Sequence, residues 1–188
     1  FEWHMEYRMS TLELKELSHP TGEVIKIASG KTLDLKSQGS VTMPTGSVLQ
    51  VVHGSTTTGV ISTTQNSFVG SGCTATITPT STSSKILIIG NLAINCDQSS
   101  GNDNQGNTGI KRGSTVISGV IGYDELRSYI AGTSANIHGS RVPSNFLDSP
   151  STTSATTYEL IGSLRLGTRI YMQMNLQPST ITLMEIQG

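Results

Sequence analysis

Four histidines, at positions 4, 19, 53 and 138, are the residues best suited to hold a metal, and they are scattered along the chain. Only His19 has carboxylates at helical ligand spacing, Glu16 and Glu23, and Pro20 and Gly22 break any helix that would align them. His53 closes an expected strand, Val48–Val52. At a three-fold axis three copies of it would converge, but a surface histidine at a strand end is the plainer reading. Asp97 and the Asn102–Asn107 segment supply oxygen ligands of the kind calcium takes. They lack the late bidentate glutamate of a calcium loop, since the twelfth position counted from Asn102 is Gly113. His53 and Asp97 are therefore the only metal candidates, and no metal or other cofactor is expected.

Catalytic constellations are equally sparse. No G-x-S-x-G elbow places a nucleophilic serine. Asp124 and Glu125 are adjacent, so a strand would point them to opposite faces, unlike a paired-carboxylate glycosidase site. Gly70-Ser71-Gly72 is a fragment of a dinucleotide loop with no helix after it, and Gly54–Gly59 lacks a P-loop lysine; both read as turns. The expectation is a chain with no enzyme active site.

The elements that must carry these residues are strands. The 188 residues include 26 serines and 25 threonines, while charged residues are only 13%. Threonine suits strands and serine suits turns, and a Lys/Glu-poor chain is a poor helix former. A formal charge of −1 leaves no basic surplus to neutralise phosphates, which excludes electrostatic nucleic-acid binding. No apolar run reaches the length of a membrane span. Cys73 and Cys96 are too few for a disulfide framework; buried thiols are the plainer reading, with pairing across a sandwich the other.

Three regions separate along the chain. Residues 1–8, with the only tryptophan (Trp3), read as a tag or a docking peptide. Residues 9–46 are short apolar pairs punctuated by Gly22, Gly30, Gly39 and Gly46. Strands that small bury too little surface to stand alone, so this region reads as an oligomerising stalk or collar. Residues 47–188 read as a β-sandwich. Val48–Val52, Val60–Thr64, Asn66–Val69 and Thr74–Thr78 are expected strands, and Lys85–Ile89 is apolar enough for a strand buried on both faces. Tyr158–Leu166, the alternating Ile170–Leu176 and Ser179–Ile186 complete the series. Asp97–Thr108 and Asn145–Thr157 read as polar loops, and Tyr123–Ile130 as either a helical turn or a bulged strand.

Five linked segments carry a resemblance: Gly46–Val52 (GSVLQVV), Thr76–Ile88 (TITPTSTSSKILI), Lys111–Ile117 (KRGSTVI), Asn145–Tyr158 (NFLDSPSTTSATTY) and Ser179–Ile186 (STITLMEI). In this order they resemble the C-terminal domain of tail-fibre-like and other virion surface proteins of marine bacteriophages. The resemblance implies an all-β, jelly-roll-like sandwich behind a trimerising collar, with the final strand near the trimer axis. It implies a homotrimer on the virion surface, joined to other virion proteins through its N-terminal region, and no membrane insertion. Host attachment to a surface glycan or protein would then fall to exposed polar residues: Tyr123, Arg127, Tyr129, Arg141 and Asp103, each of which also fits a plain packing role. A capsid decoration or head-fibre protein and a carbohydrate-binding module are the other readings, with a depolymerase spike behind them.

Overall fold

A computed structural model describes residues 29–31, 43–98, 103–119, 126–129 and 136–188. The expected peptide 1–8, nearly all of the expected collar, His4, His19 and the Tyr123–Glu125 stretch lie outside the described residues. Residues Met43–Gly188 form one compact unit.

Among the described residues the strands are β1 (Val48–Thr56), β2 (Val60–Ser62), β3 (Phe68–Ile77), β4 (Lys85–Gln98), β5 (Asp103–Arg112), β6 (Thr115–Ser118), β7 (Leu126–Tyr129), β8 (Asn136–Asp148), β9 (Thr156–Leu166), β10 (Arg169–Met172) and β11 (Ser179–Ile186). They form two antiparallel sheets packed as a sandwich. In the first, β8 lies along one edge of β4, β11 and β10 lie end to end along the other, and β1 and β2 flank those. In the second, β9 runs between β3 and β5, and β6 and β7 share the far edge of β5.

Period-two patterning puts the core between the sheets. Ile86, Ile88, Leu92 and Ile94 of β4, Ile181 and Leu183 of β11, and Ala75 and Ile77 of β3 are buried there with Tyr158, Leu160 and Leu164 of β9. The sheets approach so closely that a side chain on Gly54 would run into the Thr74 carbonyl. Two carboxylates brace the layers. Asp148 of the first sheet accepts from Arg112 Nη1 (2.8 Å) and from the Tyr158 hydroxyl (2.7 Å), both on the second sheet. Glu185 of β11, shut off from solvent by the turn after β3, accepts from Thr80 N, Thr80 Oγ1, Ser84 Oγ and Gln50 Nε2 at 2.6–2.7 Å.

Several sequence expectations are corrected. Asn66–Val69 and Thr74–Thr78 are not two strands. The single strand β3 bulges between Gly70 and Thr74, where Gly72 adopts φ 73°, so Gly70-Ser71-Gly72 is a bulge and not a turn. The Asp97–Thr108 loop shrinks, because Asp103–Thr108 is strand. Its polar side chains are buried through long-range bonds such as Asn104 Nδ2 to Cys96 O and Thr108 Oγ1 to Ser144 Oγ. Asn145–Asp148 belongs to β8, and only 149–155 is a connection before β9. The Ile170–Leu176 alternation stops at Met172, where the chain leaves the sheet. Leu126–Tyr129 is extended, which favours the strand reading over the helical turn.

Candidate functional site

The outward face of the first sheet exposes several apolar side chains among the described residues. Inward and outward residues alternate on β4, so Leu87 and Ile89 point away from the core. In register they form rows across four strands. Val51, Met184, Leu87 and Leu147 make one row, and His53, Thr182, Ile89 and Asn145 make the next. Val51 is 55% exposed, Leu147 50% and Ile89 42%. The Lys85–Ile89 run is therefore buried on one face only, because among the described residues no layer lies over the other.

Farther along β4 the chain covers this face itself. After β10 it swings out through residues 173–178 and returns as β11. Gln173 N donates to Ala93 O (3.0 Å), and Arg141 on β8 donates to Pro178 O (2.9 Å), drawing the excursion over Ala93. Asn95 lies against Gly139, where a side chain would collide with its amide. Beyond it Arg169 Nε pairs with Asp97 Oδ2 (2.6 Å) and its guanidinium sits 4.9 Å from the Tyr171 ring centre.

The predicted contact residues are divided between the sheets. Arg127 and Asp103 meet on the second sheet in an ion pair of 3.0 Å. Gln105 Nε2 also donates to Asp103 (2.9 Å), and Gln105 Oε1 accepts from Arg165 (2.8 Å). Tyr129 is the backbone partner of Asp103, so it belongs to the same edge. Arg141 lies on the other sheet and positions the excursion. Tyr123 lies outside the described residues. The two metal candidates are separately engaged: His53 Nδ1 is 3.0 Å from Thr182 Oγ1, and Asp97 is held by Arg169. Among the described residues no three His, Cys, Asp or Glu side chains stand together as a metal site.

Sequence reasoning missed Glu185, Asp148 and Tyr158. Glu185 carried a signal: it is the one acid on the inward-facing series Ser179, Ile181, Leu183. Asp148 carried none, because its partners lie 36 and 10 residues away on other strands.

Cys73 and Cys96 are both buried and unpaired. Burial raises the Cys73 thiol to about 11, with Glu159 adding to it, and raises Cys96 to about 12. Thiolate is the reactive form, so neither cysteine is expected to react with DTNB in the folded protein near pH 8, and both are expected to react once it is unfolded. A native protein that releases one equivalent promptly contradicts this. Compared with known protein families and with curated proteins, the chain matches none.

Proposed function

We propose that this chain is a non-catalytic structural subunit of a phage virion appendage, a fibre or spike whose β domain is displayed as a homotrimer for host-surface attachment. The outward apolar row Val51–Met184–Leu87–Leu147, exposed at both ends and partly exposed between, carries the reading. Contiguous exposed apolar surface on one face marks an interaction site, and a strand with the apolar composition of Lys85–Ile89 is suited to burial on both sides. The strand order supports a jelly roll: β1/β2, β11/β10, β4, β8 faces β3, β9, β5, β6/β7, and the chain changes sheet from β3 to β4, β4 to β5, β7 to β8 and β8 to β9. The final strand lies inside the first sheet, where its Thr182, Met184 and Ile186 side chains join the exposed face, as expected for a strand close to a trimer axis. Three identical copies would turn weak contacts with a host surface into useful avidity.

A capsid decoration role is the second reading. It is favoured by the closure of Arg127 onto Asp103, which leaves those two groups engaged within the chain. Sedimentation of the full chain tests the oligomer: a mass of three chains is expected, and a single-chain mass at all concentrations sinks it. Gold-labelled antibody on intact virions tests location. Label at fibre or spike tips is expected, label over the capsid shell selects decoration, and unlabelled particles overturn the virion assignment.

A further inference from the structure

The excursion between β10 and β11 is strained and presents an apolar side chain to solvent. Gln173, Asn175 and Leu176 all adopt left-handed backbone, with φ of 56°, 54° and 59°. Asparagine tolerates this region, but for leucine the crowding of Cβ makes it an outlier. Leu176 is nonetheless 75% exposed, so its own chain offers the side chain little in return. Strain of this kind persists where the surroundings impose it, and it clusters at functional positions. The imposing bonds are present. Gln173 N is tied to Ala93 O, Pro178 O to Arg141, and the Gln173 amide spans Ser179 Oγ (2.8 Å) and Thr58 O (3.2 Å).

This knob is itself part of the lining of a cleft of about 390 Å³, which it shares with Thr57, Gly59, Ile61, Tyr171 and Met174. Ile61 is 59% exposed, and on the outer face it sits in the row with Tyr171, Asn95 and Gly139. The charged groups near it are closed on partners: Arg169 on Asp97, and Arg141 on a carbonyl. The occupant that suits such a cleft is a neutral, branched apolar side chain on a rigid support, and the same chain carries one next to it.

We infer that Leu176 of one copy packs into the Thr57–Ile61–Tyr171 cleft of the next. Leu176 belongs to the lining of the cleft, so knob and cleft form one patch, and in a closed ring each copy gives its Leu176 to the next copy and receives one from the last. Because they adjoin, the axis of that rotation must pass beside them, which brings the Leu176 side chains of all copies close together. The strain at Leu176 is then set in the monomer and offset only on assembly. This inference rests on the oligomer reading above, and it assigns the residues through which the copies meet.

Analytical ultracentrifugation of the full chain over a dilution series tests it. Leu176→Asp is expected to sediment as a monomer. Leu176→Gly relieves the backbone strain, so it leaves the fold at least as resistant to urea as the parent while raising the dissociation constant tenfold or more. Gly59→Trp, which fills the cleft from the connection between β1 and β2, weakens assembly to a similar extent. Val116→Asp, on the second sheet, leaves assembly unchanged. Leu176→Gly and Leu176→Asp proteins that assemble as tightly as the parent overturn the inference while the oligomer reading stands. Loss of assembly in the Leu176 variants but not in Gly59→Trp overturns the cleft as the docking partner. A parent protein that is monomeric throughout overturns the oligomer reading itself.

Discussion

Replacing Asp148 by alanine is expected to lower the unfolding free energy by about 3 kcal/mol, the low end of the loss seen when one partner of a buried ion pair is removed. Asp148 sits at the end of β8 and accepts from Arg112 Nη1 through both oxygens, at 3.0 and 2.8 Å, and from the Tyr158 hydroxyl at 2.7 Å. Both donors belong to the opposite sheet, so the carboxylate joins the two layers at one end of the sandwich. Without it, the phenol of the fully buried Tyr158 loses its acceptor, and Arg112 keeps a charge in a partly closed site. The Arg112 side chain retains some access to water, which holds the loss at the lower bound. Burial, and then the bond to Asp148, push the Tyr158 phenol well above its usual range, so it remains a donor at any ordinary pH. Tyr158→Phe removes the donor together with its hydroxyl and is expected to cost only about 1 kcal/mol. For a domain of this size, 3 kcal/mol corresponds to a fall in Tm of roughly 6–12 °C. Urea titration of the two variants checks the pair of values, and an Asp148→Ala protein within about 1 kcal/mol of the parent would falsify the brace.

Removing the Glu185 carboxylate is expected to cost about 2–4 kcal/mol, because several donors converge on it and buried donors without acceptors cost about 1–3 kcal/mol each. Gln50 Nε2 ties it to β1, and Thr80 and Ser84 fold the turn after β3 down over it, so Glu185→Ala loosens that turn and the β1 edge together. Burial by itself raises the carboxyl, but the bonds from Gln50, Ser84 and Thr80 outweigh it and hold the group below the usual glutamate range. A carboxyl whose folded-state value lies below its unfolded value binds fewer protons when folded. It therefore contributes stability above the unfolded value and loses that contribution as the pH falls through the folded one. Glu185→Gln cannot ionise. The parent should lose more stability than Glu185→Gln between about pH 7 and about pH 3. Parallel pH profiles for the two proteins would remove Glu185 from the account of acid sensitivity.

Much of the strand framework was legible because alternation is a local property. Ile86/Ile88, Ala75/Ile77 and Ile181/Leu183 announce an inward face whatever their partners, and the polar 79–84 segment announces a turn. The misreadings share one cause. Asn104, Gln105 and Thr108 look like loop residues because side-chain polarity alone does not reveal bonds to Cys96 O, Asp103, Arg165 and Ser144 made on folding. Ile170–Leu176 looks like one strand, yet contacts from Ala93, Thr58 and Arg141 pull residues 173–178 out of the sheet.

The all-β character, the positions of most strands and the two buried thiols follow from composition and period-two spacing, which depend only on neighbours in the chain. Which face of β4 would remain exposed among the described residues, that Arg127 would close on Asp103 while Arg141 lay on the other sheet and reached Pro178 O, and that Glu185 would be held by Gln50 were settled by tertiary structure. Gln50 and Glu185 are 135 residues apart, and Arg127 and Asp103 are 24 apart. Contacts at such separations arise only when the sheets pair and pack, so local spacing prescribes a side chain's face but not what it meets there.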